Sequence, residues 1–350
     1  MKKISLIKTS KVLLLLAVMS MVFVGCNDSD DDDDEYGDWV QRSTFDGDSR
    51  SGAVSFTIGN KGYLVTGYDG DDYLNETWMY DADANGWTKV ADFPGYGRSG
   101  AVGFVIDGKG YVGTGYGYDE LNDEYTEFDD FYEYDPATDT WSSIADLGFG
   151  IANVDTTEDE LARFGAIAFT LGSYGYVGTG DDGSEQKDFY KYDPATDTWE
   201  NVIGFGGDKR QGAVVFVIND VAYIGTGTQN GGYQTDFYSF DGTSWTALTD
   251  LDDEDEDNEV LFNSGVAFTI GGKGYVGVGL YGALSTAVWE YDPADDSWEE
   301  VPNFEWSARQ DASAFSFADS DRGFVLVGKS GSSYFDDVWE FLPNQLSDED

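Results

Sequence analysis

Short runs of alternating apolar and polar residues fill most of this chain, and they recur in one fixed order. A unit opens on Arg, Ser and Gly ahead of an apolar run, as in Arg50-Ser51-Gly52-Ala53-Val54. A turn containing Gly or Asn follows, then a second run that carries an aromatic and ends in Gly. After a loop of variable length comes an aromatic-rich third run, often closed by Asp-Pro. The unit ends on a run marked by Trp. Alternation at period two is the pattern of strands with one buried face, so each unit predicts four strands.

The order recurs six times. The second-run aromatics are Tyr63, Tyr111, Tyr176, Tyr223, Tyr275 and Phe324, and the glycines closing those runs are Gly67, Gly115, Gly180, Gly227, Gly279 and Gly328. Third runs such as Trp78-Met79-Tyr80 and Tyr132-Glu133-Tyr134 carry aromatics two apart, on one strand face. The turn Asp135-Pro136-Ala137-Thr138-Asp139-Thr140-Trp141 returns over residues 193–199 and, altered, over 292–298. Fourth-run tryptophans stand at 87, 141, 199, 245 and 298, but the sixth unit reaches Pro343 without one. The missing residue stands ahead of the first unit, in Asp38-Trp39-Val40-Gln41. The N-terminal strand is therefore expected to complete the last sheet, which joins the two ends and removes an open edge. A seventh unit is not supported, because no seventh Tyr–Gly run exists.

Units of about 46–65 residues with four strands each fit propeller blades. The aromatic and Trp spacing resembles the kelch repeat, over residues 38–343. It departs from the usual Gly-Gly doublet, which here reads Gly-Thr-Gly at 113–115, 178–180 and 225–227. The resemblance implies an all-β fold: a six-bladed kelch-type β-propeller of four-stranded blades, closed by the strand around Trp39. It also implies that the first strand of each blade lines a central channel. Aromatics at 16%, 45 glycines and only 6 prolines suit many short strands joined by tight turns.

The N-terminus has a different pattern. Lys2, Lys3, Lys8 and Lys11 precede an apolar stretch over 12–24, too short to span a bilayer and typical of a signal segment. It ends Phe23-Val24-Gly25-Cys26, which resembles the lipobox of bacterial lipoproteins, with Phe23 unusual at its position. That resemblance implies cleavage after residue 25 and acylation of Cys26. An acidic tether over 26–37, with Asp30 to Asp34 and Glu35, cannot fold on itself. It resembles the acidic signals of some surface-displayed Gram-negative lipoproteins. An outer-membrane or cell-surface location is expected, with the lipid as the sole membrane contact. Residues 344–350 are expected to form an acidic tail.

Loss of residues 1–25 removes four lysines and no acids, which moves the formal net charge from −49 to −53. Such a field repels nucleic acid, which is excluded as a partner. The chain has no His and one Cys. Ser-His-Asp and Cys-His nucleophile systems and all His metal sites are thereby excluded. The copper oxidases related to kelch proteins need His ligands and a Tyr–Cys link, which this chain cannot supply. Sialidase propellers carry Asp-box turns, absent here. Paired carboxylates for glycoside hydrolysis stay open, since 68 acids provide many pairs. No cofactor is implied.

Two groups of residues carry the candidate chemistry. Arg50, Arg98, Arg163, Arg210 and Arg309 occupy one repeat position, just before the first strand; the fifth unit has Phe262 there instead. In kelch adaptors such arginines face the ligand pocket, so the resemblance implies a cationic mouth suited to carboxylate or sulfate. The alternative is that each Arg pairs with an Asp as part of the scaffold. The second group lies in the insertion from Tyr116 to Asp130, where Tyr116, Tyr118, Tyr125 and Phe128 stand among acids, suited to stacking on sugar rings or docking a peptide. Further insertions run from Gly148 to Ala162 and from Asp250 to Glu259, the latter read as a solvated acidic loop. Asp81-Ala82-Asp83-Ala84-Asn85-Gly86 matches half an EF-hand loop, but Asp92 stands where a bidentate Glu is needed, so a hairpin turn is expected. Taken together, a monomeric binding or interaction module is expected, for a glycan, a peptide or a protein and with an acidic ligand favoured by the Arg ring. A carbohydrate-active enzyme of mutarotase or lyase type is the alternative, and a structural adhesin module the third.

Overall fold

The computed structural model describes residues 36–151, 161–251, 263–318 and 320–346. The signal segment, Cys26, nearly all of the tether, Phe262 and the last four residues lie outside the described residues. So does most of each of the later two insertions.

The described residues form strands and turns without helix, and they include six four-stranded antiparallel sheets. The first unit folds as Val54–Ile58, Lys61–Val65, Thr77–Asp81 and Gly86–Lys89, in that order across the sheet. The other units repeat this order. The last sheet differs: Ser313–Phe317 and Arg322–Leu326 are followed by Val338–Leu346, and the fourth strand is Tyr36–Gln41 from the other end of the chain. Trp39 lies opposite Phe341 in that pairing.

Trp39 does for the last sheet what Trp141, Trp199 and Trp298 do for theirs. The indole N–H of Trp141 donates to Ala91 O, that of Trp199 to Ala145 O, that of Trp298 to Thr249 O, and that of Trp39 to Pro302 O at 3.3 Å. Each bond reaches the preceding unit. The Trp39 ring meets Phe304 edge-on at 5.0 Å and is 3% exposed. Two expected boundaries shift as a result. The N-terminal strand begins at Tyr36, inside the stretch read as tether, and the last strand runs on to Leu346, into the stretch read as tail. Tyr36 pairs with Leu346, and the register shift between Tyr36 and Asp38 accommodates Pro343, which has no N–H to give a ladder.

Neighbouring units are locked by three kinds of contact. Strand-one aromatics stack on strand-two aromatics within a sheet, as Phe104 on Tyr111 at 5.1 Å. The same Phe also reaches the next unit, where only a glycine leaves room: a Cβ on Gly175 would come within 2.2 Å of Phe104. Gly62 of the first unit stands in this relation to Phe315 of the last, at 2.7 Å. The recurrent Asp-Pro-Ala-Thr-Asp-Thr-Trp turn supplies the second kind. Asp139, at φ 52°, accepts the Tyr134 hydroxyl and the Ala91 amide of the previous unit.

The third kind is a chain of backbone hydrogen bonds. Gly52, Gly100, Gly165, Gly212, Ser264 and Asp311, one per unit, all take positive φ between 52° and 64°. The amide of each donates to the carbonyl of the one before it: Gly100 to Gly52, Gly165 to Gly100, Gly212 to Gly165, Ser264 to Gly212, Asp311 to Ser264. The amide of Gly52 then donates to Asp311 O at 2.8 Å. Inside this succession lies a cavity of about 260 Å³ lined by residues at the start of the first strand of all six units, such as Ala101, Gly103, Ala166 and Ala312. Its lining is small and uncharged, so it offers shape but no acid, base or cation.

Replacing Trp39 with Ala removes a buried ring and leaves the last sheet's outer strand without its anchor. We expect a loss of about 3–5 kcal/mol, measured by denaturant unfolding. A loss below about 1 kcal/mol would show that this strand carries little of the fold.

Candidate functional site

The five repeated arginines are in the interior. Arg50, Arg98, Arg163, Arg210 and Arg309 are each 0% exposed. In every case Nε donates to the carbonyl two residues back, and Nη1 donates to the carbonyl at the end of the second strand: Thr66, Thr114, Thr179, Thr226 or Val327. The terminal nitrogens meet a carboxylate: Glu76 for Arg50, then Asp130, Asp188, Asp236 and Asp337. The Arg210–Asp236 fork is bidentate, at 2.6 and 2.9 Å. An aromatic ring covers each guanidinium, such as Phe205 at 4.6 Å from Arg210. The expected cationic mouth is therefore corrected. These donors are taken by the chain's own groups, and the scaffold alternative describes them. Arg42 and Arg322 are likewise committed, both to Glu340.

The reason for the clamp lies in the turn it holds. Thr66, Thr114, Thr179, Thr226, Val278 and Val327 all take φ between 50° and 65°. A β-branched residue in this region is strained, and it persists only where its surroundings fix it. Five of the six carbonyls are gripped by an arginine. The departure from the Gly-Gly doublet thus has a physical counterpart: where glycine would adopt this conformation freely, Thr or Val is held there. A sequence signal for the clamp exists. Each partner acid immediately precedes the third strand, and the fifth unit, which lacks the Arg, has Ala287 at that place.

A second constellation forms where the units' loops meet. Tyr116–Asp119 and Glu124–Glu127 pair as a hairpin, which is tied by Tyr116 and Gly117 to Ser99 and Arg98. The hairpin brings Tyr116, Tyr118 and Tyr125 together: Tyr116 stacks on Tyr125 at 6.2 Å and Tyr118 meets Tyr125 at 5.0 Å. Sequence reading missed the residues that join them. Tyr73 lies 6.0 Å from Tyr116 and 6.1 Å from Tyr125, Tyr68 lies 4.8 Å from Tyr73, and Tyr334 of the last unit lies 6.0 Å from Tyr68. Phe128 turns inward, over the Arg98 guanidinium at 4.1 Å and against Tyr96.

Beside this cluster are two adjoining cavities. The larger, about 580 Å³, is lined by Tyr73, Asn75, Pro94, Gly95, Tyr96, Gly97, Glu120, Asp130 and Tyr132. The smaller, about 220 Å³, shares Tyr73, Tyr96, Gly97 and Glu120 and adds Asp71, Asp72, Tyr118 and Tyr125. Burial first, and then the neighbouring Tyr116, push the Tyr73 hydroxyl up to about 12. Burial, reinforced by Asp130, does the same to Tyr132. Both stay protonated across the physiological range, as hydrogen-bond donors rather than nucleophiles or bases. The cleft thus combines aromatic faces, hydroxyl donors and carboxylate acceptors.

Among the described residues there is no cluster of three or more His, Cys, Asp or Glu placed to hold a metal ion. The half EF-hand stretch is the hairpin between Thr77–Asp81 and Gly86–Lys89, with Asp81 accepting the amides of Asp83 and Ala84.

No family model and no curated protein matches the chain. Among solved structures, that of YjhT aligns with a TM-score of 0.71 at 16% identity, over 85% of this chain and 95% of that one. At this identity the likeness is one of fold, and the fold is that of a β-propeller. In all, 737 solved chains match, and a shared fold by itself selects no single chemistry.

The clamp makes stability pH-dependent. Burial alone would raise the Glu76 carboxyl, but hydrogen bonds from Lys89, Arg50 and Trp78 outweigh it and hold it at about 2, below the ordinary 4.5. A carboxyl depressed on folding contributes stability that is full above its unfolded value and lost as pH falls toward its folded one. The unfolding free energy should therefore decline between about pH 4.5 and 2. Glu76→Gln should be less stable at neutral pH, with the gap to wild type closing in acid. A gap independent of pH would contradict this origin.

Proposed function

We propose that the chain is a six-bladed propeller of the kelch type that binds a glycan in the tyrosine cleft, held by lipid at Cys26 on the outer membrane or cell surface. Three observations support the six-bladed, closed reading: the six four-stranded sheets, the Gly52–Asp311 hydrogen bond and the pairing of Tyr36–Gln41 with Val338–Leu346. The lipobox-like Phe23-Val24-Gly25-Cys26 supports the anchor.

The observation that carries the binding reading is the 580 Å³ cavity with its adjoining tyrosines. Pyranose rings present C–H faces that pack on aromatic rings and hydroxyls that pair with carboxylate and amide oxygens, the two kinds of group that converge here. Ligand pockets in general join apolar faces to a few placed polar groups. The enzymatic alternative is a mutarotase or lyase, and glycoside hydrolysis in particular would need a free carboxylate pair. Of the carboxylates lining the larger cavity, Asp130 has both oxygens bonded to Arg98, whereas Glu120 also borders the smaller cavity together with Asp71 and Asp72, so the enzymatic alternative stays open. Binding is the reading that the converging tyrosine faces and hydroxyl donors support best.

A glycan array with the mature protein should return oligosaccharide ligands. Tyr73→Ala and Tyr125→Ala should each weaken the best of them by about 1.5–3 kcal/mol, roughly tenfold or more, through lost ring contact. Tyr125 is 62% exposed, so its removal should leave the melting temperature unchanged. Unaltered affinity in both variants would place the ligand elsewhere. For the anchor, Cys26→Ser should abolish labelled palmitate incorporation and release the protein from the membrane fraction. Equal labelling of wild type and variant would contradict acylation at this residue.

A further inference from the structure

We infer, building on the glycan reading of the tyrosine cleft, that its ligand carries protonated amines, as an oligosaccharide of 2-amino sugars does. The charged side chains lining the two cavities are Asp71, Asp72, Glu120 and Asp130, all acids. Asp130 is neutralised by Arg98. Among the described residues, no Lys or Arg forms an ion pair with Asp71, Asp72 or Glu120, whereas the arginines that could have received an anion are buried in their clamps. A uronic acid or sulfated sugar entering here would bring a negative charge against three carboxylates with no cation to receive it. This arrangement favours a cationic ligand over the acidic one that the Arg ring implied.

The aromatic lining points the same way. Tyr73, Tyr96, Tyr118 and Tyr125 all border the smaller cavity, together with Asp71, Asp72 and Glu120. An ammonium group over a tyrosine face is attracted by the ring's quadrupole, and a nearby carboxylate adds to that attraction. A neutral sugar gains the ring contact but not the charge. The negative field of the whole protein raises the local concentration of cations as well. A cavity of about 580 Å³ accommodates more than one ring, and the adjoining 220 Å³ accommodates an amine-bearing edge. The two features are complementary to a sugar with an ammonium substituent, where a plain acidic loop would offer charge without stacking faces.

The test is titration calorimetry with the mature protein at about pH 6, where a sugar amine is protonated. The probes are glucosamine, N-acetylglucosamine and glucose oligosaccharides of equal length, a galacturonic acid oligosaccharide, and oligolysine of matched charge. The glucosamine oligomer should bind at least tenfold more tightly than its N-acetylated counterpart, and added salt should narrow the difference. The variant Asp71→Asn/Asp72→Asn/Glu120→Gln, whose side chains lie at the rim, should melt as wild type does and lose the preference while retaining weak binding to the glucose oligomer. Persistence of the preference in that variant would assign it to the protein's overall charge and overturn the inference. Equal affinity for the amine, acetyl and glucose series, or tightest binding of the uronic acid, would overturn the amine while leaving a glycan site. Oligolysine binding as tightly as the glucosamine oligomer would overturn the sugar class. Binding of none of these probes would overturn both the inference and the glycan reading on which it rests.

Discussion

The amide of one unit's left-handed residue donates to the carbonyl of its equivalent in the unit before, and the succession returns to its start when Gly52 donates to Asp311. Each sheet alone is a small four-stranded ladder with an apolar face toward each neighbour. It acquires a core only when the next unit arrives, because Phe of one sheet fits over a small residue of the next, glycine at five junctions and Ala222 beside Phe169 at the sixth. The backbone bond sets the spacing at which that fit occurs. The positive φ at these six positions aims amide and carbonyl at opposite neighbours. Seen this way, Trp39 and its strand serve the same constraint, since without them the last sheet would lack its outer strand.

The arginine clamps act one layer out from that succession. A guanidinium buried against a carboxylate, two carbonyls and an aromatic ring is costly to desolvate, and it is held because each of its three nitrogens donates to a partner. Its return is conformational: it fixes a β-branched residue at φ near 60° so that the second strand can leave the sheet and begin its loop. The functional consequence is indirect. With seven arginines consumed in structure, the exposed chemistry of the loops is left to tyrosine and acid. The side chains around the cleft therefore favour stacking and hydrogen-bond acceptance over anion capture.

The repeating parts of the fold were legible because repetition is itself the signal. The Tyr–Gly strands, the Asp-Pro turns and the displaced Trp39 could be aligned against their equivalents, and the sheets follow that alignment. The arginines were legible as a repeat but not as a clamp. Their partners Glu76, Asp130, Asp188, Asp236 and Asp337 lie in a different strand's approach, at separations that vary with loop length. The absence of both members from the fifth unit, at Phe262 and Ala287, was the available clue. Only part of the site was legible. Tyr116, Tyr118 and Tyr125 share one insertion and could be grouped by proximity in the chain. Tyr73 and Tyr334 share a repeat position, three residues before Glu76 and Asp337 as Tyr233 is before Asp236, while Tyr96 lies in a loop of another kind, and only the arrangement of the sheets brings the three beside the insertion.

The central claim is that neighbouring units are held as one cooperative body by the succession of backbone bonds. Native-state hydrogen exchange measures this directly at the amides of Gly52, Gly100, Gly165, Gly212, Ser264 and Asp311. If the account is right, all six exchange with one opening free energy, equal to that of global unfolding, and all six respond alike to denaturant. If Gly52 exchanges through a distinctly lower opening while Gly100, Gly165 and Gly212 remain protected, the first and last units part independently, and the claim is contradicted.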